Sequence, residues 1–339
     1  MSATTSEHRN VLLIAPTAFY SFAQVVAGGM EQKGYMVTIA NDEYPNNSIG
    51  KVLGKLRITL LLSMITRRVL VTRFLDNQEY ELVLIIKGRG ISPALIEQLK
   101  RHAPRIIAYN FDSFQYNPAP LSWFRLVHRY CTFDFADAER YGLPRVDLFA
   151  ATVTGAILPH KRYEISALMR NHSDRLKYLD RVLSVFPTSR RFVYIYEHNV
   201  FSAVLNILKN PLLYWKYRKE IHFTSLPYAD YFDVLRTSEL TVDYAHPKQS
   251  GITIRCFEAA SAGTRIITNN IFTLRHPYFD DENTLVFGID EDPVKLADRL
   301  DRIHRVPSGV RNRLIGDFID DLLKTEIQVI HQVHAEENQ

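Results

Sequence analysis

Short apolar runs alternate with helix-periodic stretches along this chain, and the alternation runs through twice. Val11 to Ala15, Met36 to Ala40, Leu82 to Ile86 and Arg105 to Tyr109 are apolar runs bounded by polar or turn residues. Runs of that kind read as strands buried on both faces of a parallel sheet. Helical stretches separate them, at Phe19 to Lys33, Gly50 to Leu75 and Pro93 to Arg101. Two further strands are expected at Arg129 to Phe133 and Arg145 to Phe149, around a short helix from Ala136 to Tyr141. Ala150 to Arg162 then breaks the pattern with threonines, Gly155 and Pro159. A second alternation follows, with strands expected at Tyr163 to Leu168, Arg191 to Tyr196, Ile221 to Thr224, Leu240 to Tyr244, Arg265 to Thr268 and Thr284 to Phe287. Its helices are expected at Ser173 to Phe186, Tyr228 to Thr237, Thr253 to Ala262, Pro293 to His304 and Gly309 to about His334. Strand-helix alternation builds an open, doubly wound sheet with its ligands at the carboxyl ends of the strands. Two such halves in tandem create one cleft where they face each other.

A length of 339 residues supports that division, being too long for one ordinary core. The expected domains are residues 1–155, residues 156–310, and a C-terminal helix over 311–339 that packs back on the first half. The net charge of +4 suits an anionic ligand or an anionic membrane surface and is too small to imply nucleic acid. With two cysteines, Cys131 and Cys256, each in an apolar run, a disulfide framework is excluded and buried thiols in a reducing compartment are expected. The polar N-terminus lacks the apolar core of a signal peptide, and no uncharged apolar run approaches the roughly 18 residues of a membrane span. The expectation is a cytoplasmic protein, with peripheral contact at the inner membrane left open. The scattered histidines show no metal-ligand spacing, so no metal is expected.

The segment richest in chemistry is residues 241–270, TVDYAHPKQSGITIRCFEAASAGTRIITNN. A strand ends near Tyr244, a polar loop follows, a helix opens near Gly251 to Thr253, and Gly263 closes it. Such a loop brings free backbone N–H groups and the positive end of a helix dipole to one place, which suits a diphosphate. Glu258 lies about one and a half turns into the helix, where a carboxylate facing a solvated cleft reaches the hydroxyls of a ribose whose phosphates sit at the helix start.

These residues carry a resemblance. The pattern F-E-A-x-x-x-G-x-x-I-I-T-N, Phe257 to Asn269, resembles the donor-site helix and following strand of GT-B glycosyltransferases. With the preceding H-P-x-Q-x-G-[IL]-T-x-R, His246 to Arg255, it is similar to a bacterial family tied to capsule, lipopolysaccharide and spore-coat glycosylation. Leu84 to Gly90, Tyr109 to Ser113, Phe133 to Gly142, His172 to Arg175 and Leu226 to Tyr228 match that family in order, so the resemblance covers about residues 80 to 290. It implies an α/β chain of the GT-B type, two tandem Rossmann-like domains facing across a cleft. The implied activity is metal-independent, cofactor-free transfer of a sugar from a nucleotide-sugar donor to a hydroxyl of a glycan or lipid-linked saccharide in surface-polysaccharide biosynthesis.

Two departures stand out. Retaining enzymes of this type often carry paired glutamates eight positions apart, and Ser250 stands in the first position here. A glycine turn is expected after the first strand of the second domain, where this chain has Met169-Arg170-Asn171-His172. The candidate donor-binding residues are Arg170, His246, Ser250, Gly251, Thr253, Arg255 and Glu258. Arg255 serves equally well as a structural partner of a carboxylate. On the first half, Lys87 and Arg89 in the Lys-Gly-Arg-Gly turn are candidates for the acceptor side. Asp112 is the candidate base, with an Asx turn as its equal alternative. Asp134 and Asp137 read as a helix N-cap and a first-turn acid. Residues 51–73 and 210–219 mix basic with apolar or aromatic side chains; a two-sided helix covering the sheet accounts for either, and a surface that meets anionic lipid or a lipid-linked acceptor is the alternative for both. A cytidylyl-sugar donor, favoured by His246-Pro247, and a GT-B-shaped scaffold without turnover are the competing readings.

Overall fold

A computed structural model describes residues 9–17, 22–47, 50, 58–152, 158, 160–303 and 309–324. The expectations for residues 1–8, 18–21, 48–49, 51–57, 153–157, 159, 304–308 and 325–339 lie outside the described residues. The first sheet contains β1 (Arg9–Ile14), β2 (Tyr35–Ala40), β3 (Leu82–Ile86), β4 (Ile106–Asn110) and β5 (Arg129–Thr132), in the order β2-β1-β3-β4-β5. β1 pairs in parallel with β2 and β3, and β3 in parallel with β4. Every residue of β3 and β4 is buried, which explains why their sequences are unbroken apolar runs with no alternation. The helices α1 (Phe22–Glu31), α2 (Thr59–Leu70) and α3 (Pro93–Leu99) connect these strands. A π-turn over Val71–Leu75 continues α2.

The second sheet contains β6 (Tyr163–Arg170), β7 (Arg191–Tyr196), β8 (Ile221–His222), β9 (Ser238–Val242), β10 (Arg265–Thr268) and β11 (Thr284–Val286). Its order is β11-β10-β9-β6-β7-β8, and each neighbouring pair is parallel. The chain runs outward from β6 to β8, then returns to the other side of β6 with β9. The order therefore reverses between β6 and β9, and the crevice at their carboxyl ends is the switch point where such sheets bind ligands. The apolar faces of β6, β9 and β10 close a core with α5 (Arg175–Leu183) through Ile165, Leu240, Ile267 and Leu179.

Contacts divide the chain into two compact units. One holds residues 1–110, 119–131 and 319–339; the other holds 111–118 and 132–318. This grouping differs from a cut at residue 155. The loop 111–118 and the helix α4 (Phe135–Tyr141) bond to the loop after β9 and so travel with the second sheet. In the first unit, the C-terminal helix residues lie against the first sheet's neighbours: the Arg105 guanidinium donates to the Leu323 carbonyl at 2.7 Å, and Lys33 pairs with Asp320 at 2.6 Å.

Arg145 to Phe149 is not a strand. It makes one parallel bridge, Arg145 to Thr132. The Asp147 and Leu148 carbonyls are taken by the Arg313 guanidinium, and Ala150 pairs with Leu314, so no ladder can propagate. The helix expected from Gly309 starts later, as α11 (Ile315–Leu323); residues 309–314 are described and are not helical. Two helices missed by the sequence reading, α6 (Val200–Lys209) and α7 (Pro211–Lys216), fill the link between β7 and β8. Further helices among the described residues are α8 (Tyr228–Arg236), α9 (Ile254–Ser261) and α10 (Pro293–Ile303).

Candidate functional site

The carboxyl ends of β6 and β9 bring a set of cations together. After β6 the chain turns through Arg170, Asn171, His172 and Ser173, and Ser173 adopts φ +56°. The left-handed residue that a glycine turn would supply is thus a serine here, an uncommon choice that costs conformational energy. α5 then opens at Arg175. His172 is pushed down to about 3, first by burial and then by the positive charges of Arg175, Arg170, His246 and Arg255. His246 is lowered by burial and by Lys248 and Arg175, against the opposing charges of Asp112 and Asp174. The charges of three arginines thus help to keep the His172 imidazole neutral at the switch point. Arg170, His246 and Arg255 were sequence candidates; Arg175 was noted only as part of a helix start. Its site role follows from the turn that folds it back toward Arg170, whose carbonyl lies 3.5 Å from its Nη1.

The loop from β9 to α9 is fixed by carboxylates. Asp243 is fully buried; its Oδ1 accepts from Thr253 Oγ1 at 2.7 Å and from Arg255 Nη1 at 3.4 Å, and its Oδ2 from Thr268 Oγ1 at 3.0 Å. Arg255 is therefore a carboxylate partner as well as a member of the cationic set. Asp134, the N-cap of α4, accepts from Asp137 N–H at 3.0 Å through Oδ1. Its Oδ2 accepts from the Ser250 N–H at 2.6 Å and the Gly251 N–H at 3.3 Å, and Ser250 Oγ accepts from the Ala136 N–H. This corrects the expectation of free N–H groups at 250 and 251: a buried carboxylate from this same chain occupies them. Gly251 is needed for packing, since a Cβ there would stand 2.3 Å from the Phe133 ring. Asp137 is half of the same knot, pushed up to about 6 by burial while accepting from the Phe114 N–H at 2.6 Å.

Asp112 is buried, and its Oδ1 accepts from Gln249 Nε2 at 3.0 Å, which sets it beside the same loop. His246 accepts from the Lys248 N–H through Nδ1 at 3.2 Å, leaving Nε2 to carry the proton of the neutral ring, and stands edge-on to Tyr116. Glu258 departs from expectation. It is 5% exposed rather than facing solvent, and Oε2 accepts from Tyr231 Oη at 2.7 Å. Burial pushes its carboxyl up to about 7, opposed by the hydrogen bond from Tyr231 and the charge of Arg255. Gly263 has φ +64°, the left-handed residue that ends α9 as its position predicts.

In the first unit, Lys87 and Gly88 both have positive φ (+69° and +63°), so the turn after β3 is doubly left-handed. The Arg89 N–H donates to Asp42 Oδ2 at 3.1 Å, and the Arg89 side chain lies 3.8 Å from Glu43. Asp42, which the sequence reading passed over, is pushed up to about 6 by burial, against the pull of the Arg89 N–H and the Lys87 charge. Its only sequence signal is a polar residue just past an apolar strand. Both cysteines are buried, and burial pushes the Cys131 thiol up to about 11. Among the described residues, no cluster of His, Cys, Asp or Glu is placed to hold a metal, and no helix is long and apolar enough to cross a membrane.

A family model described as glycosyl transferase-like matches residues 191–308. No curated protein matches the chain in sequence. Solved structures match its fold at low identity. A glycosyltransferase involved in avilamycin A biosynthesis is 14% identical with a TM-score of 0.55, over 92% of this chain and 96% of that one. A lipopolysaccharide outer core galactosyltransferase is 11% identical with a TM-score of 0.53, over 93% and 96%. A UDP-GlcNAc 2-epimerase from Methanocaldococcus jannaschii, in complex with UDP-GlcNAc and UDP, is 11% identical with a TM-score of 0.54, over 93% and 99%. At such identities the likeness is one of fold, and a fold shared by transferases and an epimerase does not name a reaction. The family match over residues 191–308 contains the loop from β9 and α9, and the fold is of the GT-B type, with two Rossmann-like domains.

Proposed function

We propose that this protein transfers a sugar from a nucleoside-diphosphate sugar to a hydroxyl of a glycan acceptor, in the making of a surface polysaccharide or a related saccharide. The observation that carries the reading is the placing of Arg170 at the end of β6, Arg175 at the start of α5 and Arg255 in the first turn of α9, all at the switch point of the second sheet. Three fixed cations and a helix dipole are suited to a diphosphate, and they stabilise the charge that gathers on it as it leaves. Neutralisation by arginine is why no metal is invoked. Glu258 is the group for the ribose; Tyr228, which is 41% exposed and also bonds this carboxyl, is the side chain that would yield to the sugar.

Asp112, held by Gln249, is the base in this reading. The acceptor O–H gives its proton to Asp112 as the acceptor oxygen bonds the sugar's anomeric carbon. The bond from that carbon to the β-phosphate oxygen breaks, its electron pair leaves with the nucleoside diphosphate, and configuration inverts.

Thermal shift with UDP, GDP, TDP and CMP tests the site and separates the donor classes. A nucleotide at a hundred times its Kd should stabilise the protein by about 2.7 kcal/mol. Arg175→Gln should weaken that nucleotide about 10-fold or more while leaving the melting point without ligand unchanged. Asp112→Asn should keep nucleotide affinity and lower transfer at least 100-fold. If no nucleotide stabilises the protein, the donor site is wrong; tight binding without transfer or donor hydrolysis by the wild type would make the chain a scaffold.

A further inference from the structure

α6 is turned inside out. On a helix of 100° per residue, Ser202 and Asn206 share one side, while Val200, Val204, Leu205 and Leu208 share the other. The polar side faces inward. Ser202 Oγ donates to Glu197 Oε2 at 3.1 Å and Asn206 Nδ2 to Glu197 Oε1 at 2.9 Å. Glu197 is fully buried just past β7 and also takes the Asn171 amide. A buried carboxylate with these donors fixes the rotation of the helix, because turning the apolar side inward would strip Glu197 of two of its bonds. The apolar side is therefore committed to the outside, where Leu208 is 74% exposed. α7 extends the surface. Leu213 packs against the core of the second sheet, while Leu212 and Trp215 point out, 85% and 68% exposed.

Up to Glu220, the charge that this segment itself carries is of one sign. Residues 200–219 contain Lys209, Lys216, Arg218 and Lys219 and no carboxylate. Asp180 engages Lys216, and the Arg218 guanidinium lies 4.3 Å from the Trp215 ring centroid. Lys209 and Lys219 are exposed. An apolar stripe edged by cations, with an indole at its margin, has the make-up of a helix surface that rests in the headgroup zone of an anionic bilayer. A second copy of this chain set face to face would bring these cations against their own kind.

We infer that the outward face of α6 and α7 docks the protein on an anionic phospholipid surface, Val200, Val204, Leu205, Leu208, Leu212 and Trp215 entering the interface and the flanking lysines meeting the headgroups. The inference stands apart from the transfer reaction, and its test needs neither donor nor turnover. Full-length protein is mixed with vesicles of phosphatidylcholine alone or with phosphatidylglycerol. Sedimentation with the mixed vesicles is expected, weaker at high salt and absent with neutral ones. The Trp215 emission should shift to the blue on binding; the other tryptophan, Trp123, is already buried. The double variant L208S/W215S should bind at least about 10-fold more weakly, as should K209E/K219E. Both change exposed side chains, so unchanged melting points confirm the fold, and L212S alone provides a third probe. The inference is overturned if wild type stays in the supernatant with mixed vesicles, or if L208S/W215S sediments undiminished. A lipid-free dimer in light scattering that L208S/W215S abolishes would overturn it as well, by giving the face to a second copy.

Discussion

Glu258 shows how one residue can be correctly singled out and wrongly imagined. Its place in α9 was legible from the motif, but its burial under Tyr231 was not, because Tyr231 lies 27 positions away and its approach depends on how α8 packs on α9. Burial has a consequence for pH. The folded carboxyl is raised to about 7, whereas an unfolded glutamate titrates near its ordinary value of 4.5. The neutral carboxyl therefore contributes stability that is fully present below about pH 4.5 and lost as pH rises through about 7. His172 acts in the opposite sense. Its folded value of about 3 lies below the ordinary 6.5, so its contribution is present above about pH 6.5 and lost as pH falls toward 3. Glu258→Gln should remove a pH-dependent loss on the order of 3 kcal/mol between about pH 4.5 and 7. Denaturant melts of wild type and variant across that window check this, and parallel curves would mean that Glu258 titrates normally in the folded protein.

At the scale of elements, one carboxylate joins two. Asp134 caps α4 and at the same time holds the Ser250 and Gly251 N–H groups at the approach to α9. The cap itself could be read from the sequence, since an aspartate before a short helix with an acid three positions on is a local signal. The bond to residue 250 could not, being 116 positions distant and between two loops. Asp134→Ala should cost about 2–4 kcal/mol, about 1 for the cap and the remainder for buried N–H groups left without a partner. Chemical denaturation measures the loss. A cost below about 0.5 kcal/mol would mean that water replaces the carboxylate freely. The missed pair α6 and α7 has a related cause. A helix whose polar side faces a buried glutamate and whose apolar side faces outward defeats the rule that apolar periodicity marks the buried face.

The whole molecule is organised by contacts that ignore the sequence's most visible break. The stretch from Ala150 to Arg162 looks like a linker, yet residues 111–118 and 132–152 group with the second sheet. Expressing residues 156–339 alone would therefore remove Asp112, Asp134 and the Phe133 ring that Gly251 packs on. We expect that fragment to melt at a lower denaturant concentration than the second unit within the intact chain, and to bind the nucleotide selected by thermal shift at least about 10-fold more weakly. Equal affinity in the fragment would show that the loop after β9 holds its shape without these residues.

The sequence by itself determined the α/β class, the number of sheets, the place of most of their strands, and the end of α9 at Gly263. Period, apolar runs and left-handed glycines are local properties, readable within a few residues. Only the tertiary structure decided that Arg175 joins Arg170 and Arg255, that Asp134 fills the N–H groups at 250 and 251, that Glu258 is buried, and that the apolar side of α6 faces out. Each of these depends on partners brought together by packing from distant parts of the chain, and no local pattern records which partner a polar group will find.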